Sequence, residues 1–192
     1  MATAYDNKYL AVLGGNIKSQ NAGGRLFTGI FNKDLPNGVI GNMGATVVGK
    51  EEIKDFKLPT TDTIKDGDAL YMVMTPEIFK DTRFHENMAL GKFVNKANKP
   101  FPLVPLEVRD RIRLSEDYFD ASGKGSAVAQ GDTFVLTTDG LFEYSASVSA
   151  SDNKYKFVVT EVEVSHIANY VYSDGNRFPA PYKIFTVEMV LA

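Results

Sequence analysis

Arg109, Arg111 and Arg113 alternate with Asp110, Ile112 and Leu114. On a strand, period two sets the three guanidiniums on one face, where their planar forks suit carboxylates or phosphates. The plain reading is a solvated strand face balanced by Asp110 and Glu107; the sharper one is a docking stripe for an acidic protein surface. Other reactive types are sparse. The chain has no Cys, no Trp and only two His, His85 and His166. Two imidazoles with no carboxylate motif beside them do not define a metal site. Gly123-Lys124-Gly125-Ser126 lacks the glycine spacing and the preceding strand of a phosphate loop. Asp117, Asp120 and Ser122 lack the spacing of a calcium loop, as does Asp174-Gly175-Asn176, which reads as a hairpin turn. With 24 acidic residues some pair could stand at glycosidase spacing, yet no pattern selects one. No metal, no cofactor and no catalytic residue is expected, and the work falls to the protein's surface.

The elements that must position these residues are strands. Asn37-Gly38 is a hairpin signal, because both residues tolerate positive φ. Around it, Arg25 to Phe31 reads as a strand, and Val39-Ile40 opens a glycine-punctuated stretch to Gly49. Glu52 to Leu58 alternates apolar and charged residues as a half-buried strand does. Asp66-Gly67 turns into Ala69 to Met74, an apolar run suited to a strand covered on both faces. Thr75-Pro76-Glu77 predicts a short helix through Lys80, and Glu86 to Leu90 a second, stopped by Gly91. Lys99 to Pro105 carries three prolines in seven residues, which predicts an extended edge or crossing segment and not a central strand. Gln130-Gly131-Asp132 leads into a strand over Thr133 to Thr138, and Asp139-Gly140 turns the chain again. Tyr155 to Ser165 and Tyr182 to Leu191 are the strongest strands, the second with Phe185, Val187, Met189 and Leu191 on one face. Turns at this density predict a mainly β fold, an antiparallel barrel or sandwich with one or two short helices.

The N-terminal stretch is different. Gly14, Gly15, Gly23 and Gly24 fall within eleven residues whose only large apolar side chain is Ile17. This predicts residues 1–24 as a flexible arm with a glycine hinge, and 25–192 as a single β-rich domain. Removing the arm is expected to leave a folded, soluble domain that no longer assembles with its partner.

Composition bounds the rest. A chain of 192 residues, 44% hydrophobic, with 13 Phe and 9 Tyr, has ample material for a core and needs no disulfide or metal to fold. The net charge of −3 gives no general field for nucleic acid or an anionic membrane, so neither is expected as a partner. Met1 to Lys8 lacks the basic-then-apolar order of a signal peptide, and Tyr9 to Leu13 is far short of the roughly 20 residues that cross a bilayer. Synthesis in a cytoplasm is expected.

Three stretches carry a family resemblance. These are Met1 to Gly24 with its glycine-rich arm, Ala89-Leu90-Gly91-Lys92-Phe93-Val94-Asn95-Lys96 running on to Leu106, and Gly131-Asp132-Thr133-Phe134 with Asp139-Gly140-Leu141-Phe142. In these the chain resembles the head decoration, or cement, proteins of tailed bacteriophages, in style across most of its length and without a diagnostic motif. The resemblance implies a virion component made in the host cytoplasm. It would bind the outside of the head, with the major capsid protein and other copies of itself as partners, and hold neighbouring shell subunits together. Three other readings remain: a tail-tube or head-completion subunit, a carbohydrate-binding β module, which the absence of Trp disfavours, and last a glycosidase-like enzyme.

Overall fold

The structure, a computed structural model, describes residues 5, 8, 10–13, 27–75, 93–149, 151–165, 170–173, 176–179 and 182–192. Along the chain come β1 (Val12–Leu13), β2 (Phe27–Ile30), β3 (Leu35–Pro36), β4 (Ile40–Thr46), β5 (Ile53–Lys57), the helix α1 (Thr61–Asp66), β6 (Leu70–Val73), β7 (Val94–Asn95) and β8 (Phe101–Pro105). The second half holds β9 (Arg111–Ser115), β10 (Phe119–Asp120), β11 (Thr133–Leu136), β12 (Phe142–Tyr144), β13 (Tyr155–Ser165), β14 (Tyr170–Ser173), β15 (Asn176–Pro179) and β16 (Tyr182–Leu191). The fold is mainly β, as the turn density predicts.

Five strands close a barrel in the order β2-β5-β4-β6-β8, and seven form a curled sheet in the order β1-β9-β16-β13-β11-β12-β10. Most pairings are antiparallel, but β2 runs parallel to β5, and β10 to β12. The β2–β5 pair is parallel because β3 and β4 intervene in the chain before the β4–β5 hairpin returns alongside β2. A register shift between Met43 and Thr46 bends β4 where the barrel must turn.

The proline-bearing segment is a correction to the sequence reading. β8 closes the barrel, pairing with β2 on one side and β6 on the other, so it is no edge. Its prolines survive at the margins of the ladders. The Pro102 carbonyl accepts from Met74 N–H, one residue beyond the end of β6, so the missing donor falls where the strand has already ended. Pro105 stands opposite Tyr71, next to the bond from Leu106 N–H to the Leu70 carbonyl. By the alternation of an antiparallel ladder its nitrogen therefore faces away from β6.

Two cores result. Leu35, Val39, Phe56, Val73, Phe101 and Leu103 fill one end of the barrel. The larger core lies under the sheet around Phe119, which stacks on Phe142 at 4.9 Å and meets Phe134 and Phe185 edge-on at 5.0 and 5.1 Å. That core also takes Ile40, Leu70, Met72, Val104 and Leu106 from the barrel strands, so barrel and sheet share one interior. Polar groups tie the same junction. Buried Tyr118 donates its hydroxyl to the Asn37 carbonyl. The Asn37 side chain exchanges two hydrogen bonds with the Thr75 backbone, at 2.8 and 2.9 Å. Asn95 Nδ2 donates to Asn37 Oδ1 and to the Leu35 carbonyl, both at 3.1 Å. Asn37-Gly38 thus turns the chain into β4, but the strand before it pairs with β7, so the turn does not make a hairpin.

The described residues ahead of the glycines pack on the sheet. Leu10, Ala11 and Val12 are buried; β1 pairs with β9, Val12 opposite Leu114, and the Ser115 side chain accepts from Ala11 N–H at 2.9 Å. Gly14, Gly15, Gly23 and Gly24 lie outside the described residues, as do the helices expected over 76–80 and 86–90. One helix the sequence reading left out is α1, capped by Thr60 and Thr63 in a reciprocal box and ended by Gly67 at φ 73°.

Candidate interaction surface

The arginine stripe separates into two parts. Arg111 and Arg113 sit on β9 and share its outer face, opposite Glu188 and Thr186 of β16. Arg109 is not on the strand: it occupies the preceding turn with φ 78°, exposed, while its N–H donates to the Met189 carbonyl. Both strand arginines are already engaged. Arg111 Nε donates to Glu188 Oε2 at 2.9 Å, and Arg113 Nη2 pairs with Glu163 Oε2 across the intervening strand β16. Neither carboxylate is Asp110 or Glu107. Asp110 is buried, and its side chain accepts from Glu107 N–H at 2.7 Å, closing the turn that leads into β9. The outer face is therefore a lattice of paired charges built from three strands. Each such pair in partial solvent adds at most about 1 kcal/mol, and both arginines of the strand already have a carboxylate partner.

The other sequence-selected groups scatter. Lys124, in the loop that superficially suggests a phosphate site, turns inward: Nζ pairs with Asp132 Oδ2, donates to the Ala127 carbonyl at 3.0 Å and stands 5.8 Å from the Tyr144 ring centre. Burial alone would raise the Asp132 carboxyl, but the Lys124 and Ala129 N–H donors and the lysine charge outweigh it and hold the group below its usual value. Asp120 is held down chiefly by the Ser122 N–H, an Asx turn. Tyr5 donates to the Asp139 carbonyl at 2.8 Å; burial first, and the Asp139 charge second, push its hydroxyl above the usual value. His85 and His166 lie outside the described residues. Among the described residues no three His, Asp or Glu side chains gather as metal ligands, and no helix is long and apolar enough to cross a membrane.

What the sequence reading did not single out is the outer half of β13. One edge of this strand pairs with β16 along its whole length, from Tyr155 opposite Leu191 to Ser165 opposite Tyr182. Its other edge pairs with β11 only at Val158 and Phe157, extended by backbone bonds between Val159 and the Gly131 and Asp132 main chain. From Thr160 to Ser165 no strand of the described residues lies against that edge. A register shift between Val159 and Glu161 marks the point of departure. There a cleft of about 770 Å³ opens, lined by Gln130, Gly131, Thr160, Glu161, Thr186 and Arg111 among others.

The side chains past the shift alternate. Glu161 and Glu163 stand opposite Thr186 and Ile184 on the outer face; Val162 and Val164 stand opposite Phe185 and Lys183 on the core side, at the margin of the core. Val162 is 37% and Val164 58% exposed. Among the residues whose side chains are described, the exposed large apolar groups are aliphatic. The signal for this surface was present in the sequence as Glu-Val-Glu-Val, an alternation with an apolar face. Nothing local says that the apolar face lies at the margin of the core.

No family model, no curated protein and no solved structure matches the chain.

Proposed function

We propose that this chain is a structural virion protein, a decoration subunit that binds the outside of a phage head and holds adjacent capsid subunits together. The observation that carries the reading is the β13 extension, a strand whose edge past Val159 meets no other strand among the described residues and which carries exposed valines, equipment for contact with another protein. The stretches that resemble decoration proteins support it further, since Gly131-Asp132 opens β11 and Asp139-Gly140 turns it into β12. The paired charges on the outer face suit contact with protein in a crowded assembly. They attract neither a nucleic acid nor an anionic membrane. Other copies of the chain and the major capsid protein are the partners, and the protein is not an enzyme.

Immunogold labelling of particles from the cells that make the chain tests the placement. Gold on the outside of heads is the expected result. Gold along tails would replace this reading with a tail-tube subunit.

A further inference from the structure

We infer that the edge of β13 from Thr160 to Ser165 accepts an extended segment of another protein, one that alternates apolar and basic residues and adds to the curled sheet as a new strand. The edge is preformed: β16 holds β13 on the opposite side, and β9 holds β16 as far as Ile184 opposite Ser115. The incoming strand would lie in line with β11, which leaves the edge at Gly131, and enter by the cleft beside Gln130 and Glu161. Main-chain hydrogen bonds supply the attachment, and side chains at alternate positions supply selectivity. Val162 and Val164 call for apolar residues on one face.

Charge selects the other face. Glu163 and Glu188 are neutralised by Arg113 and Arg111, whereas Glu161 is exposed and has no ion pair among the described residues. A basic residue beside Glu161 completes the lattice. A second copy fits less well. Antiparallel pairing of two β13 edges in the register that sets Val162 against Val164 puts Ser165 opposite Glu161 and so supplies no basic residue for it. The inference deepens the capsid reading and rests on it only for the source of the strand, which would then be a shell subunit.

The test uses the full chain labelled with ¹⁵N and a capped peptide of alternating Lys and Val. Expected are amide shifts concentrated in residues 160–165 and no shifts with the same peptide N-methylated along one backbone edge. Glu161→Lys is expected to weaken the peptide about fivefold and to improve binding of the matching Glu–Val peptide. Glu161→Gln, which keeps the shape of this exposed side chain, should fall between. Absence of shifts at 160–165, equal binding of the N-methylated peptide, or self-association through this edge in sedimentation would each overturn the inference. Head association is read separately on the same proteins. A chain that sediments with heads yet binds no peptide loses the edge and keeps the capsid reading; a chain that binds peptide but never meets heads does the reverse.

Discussion

At Gly140 the backbone takes φ 72°, and a Cβ built there would stand 2.3 Å from the Ile40 carbonyl oxygen, which belongs to the barrel. Gly125 has nearly the same dihedral, φ 69°, with nothing within 4 Å. The two glycines separate strain from contact. Gly125→Ala is expected to cost about 1–2 kcal/mol, the price of a left-handed residue alone. Gly140→Ala carries that strain plus a collision with backbone, and should cost clearly more; urea denaturation of both variants checks the difference. Equal costs would mean that the junction between barrel and sheet yields freely. Asp132 makes a second prediction at this scale. Its carboxyl is depressed in the folded protein, so the stability it contributes is present above the unfolded value of about 3.9 and is lost as pH falls through the folded one. Asp132→Asn should therefore be less stable than the parent at neutral pH, and the gap should narrow below about pH 4. A gap that stays constant with pH would show that the Lys124 pairing does not govern the titration.

Among the elements, β1 tests the arm most directly. Leu10 is buried in the larger core, and Leu10→Ala is expected to destabilise the protein by about 2–4 kcal/mol. Deleting residues 1–24, expected from sequence to leave a folded domain that no longer assembles with its partner, should remove this strand from β9 and leave a protein that melts earlier by circular dichroism. An unchanged melting temperature would show that β1 adds nothing to the stability of the fold. The glycines at 14, 15, 23 and 24 signal a hinge, but they say nothing of the apolar residues that come before it. Where sequence was legible, the signal was long. Tyr155–Ser165 and Tyr182–Leu191 match β13 and β16 at both ends, because ten or more residues of β-forming side chains leave little choice. β4 was hidden because Gly41, Asn42 and Gly44 disfavour strands, yet Gly41 is needed there: a Cβ would meet the Lys57 carbonyl at 2.3 Å. α1 was hidden because it is six residues long and buries none of them, so it has no apolar stripe. The arginine partners were hidden by distance along the chain, Glu163 being 50 residues from Arg113 and Glu188 77 from Arg111.

For the whole molecule, the shared interior has a thermodynamic consequence. Ile40, Met72 and Val104 of the barrel join Phe134, Phe142 and Phe185 of the sheet in one cluster, so the sheet's core is completed by the barrel. One calorimetric transition is expected on heating, with barrel and sheet unfolding together; two resolved transitions would show that the junction is not a common core. On the decoration reading, such a common core suits a subunit that clamps its neighbours, since little is lost on ordering when it binds. The most direct test of that role is sedimentation. Lysate of the cells that make the chain is run on a density gradient, and each fraction is probed with an antibody to it. The decoration reading expects the chain with both filled particles and empty expanded heads. Signal confined to tails, or to the soluble fractions at the top of the gradient, would contradict it.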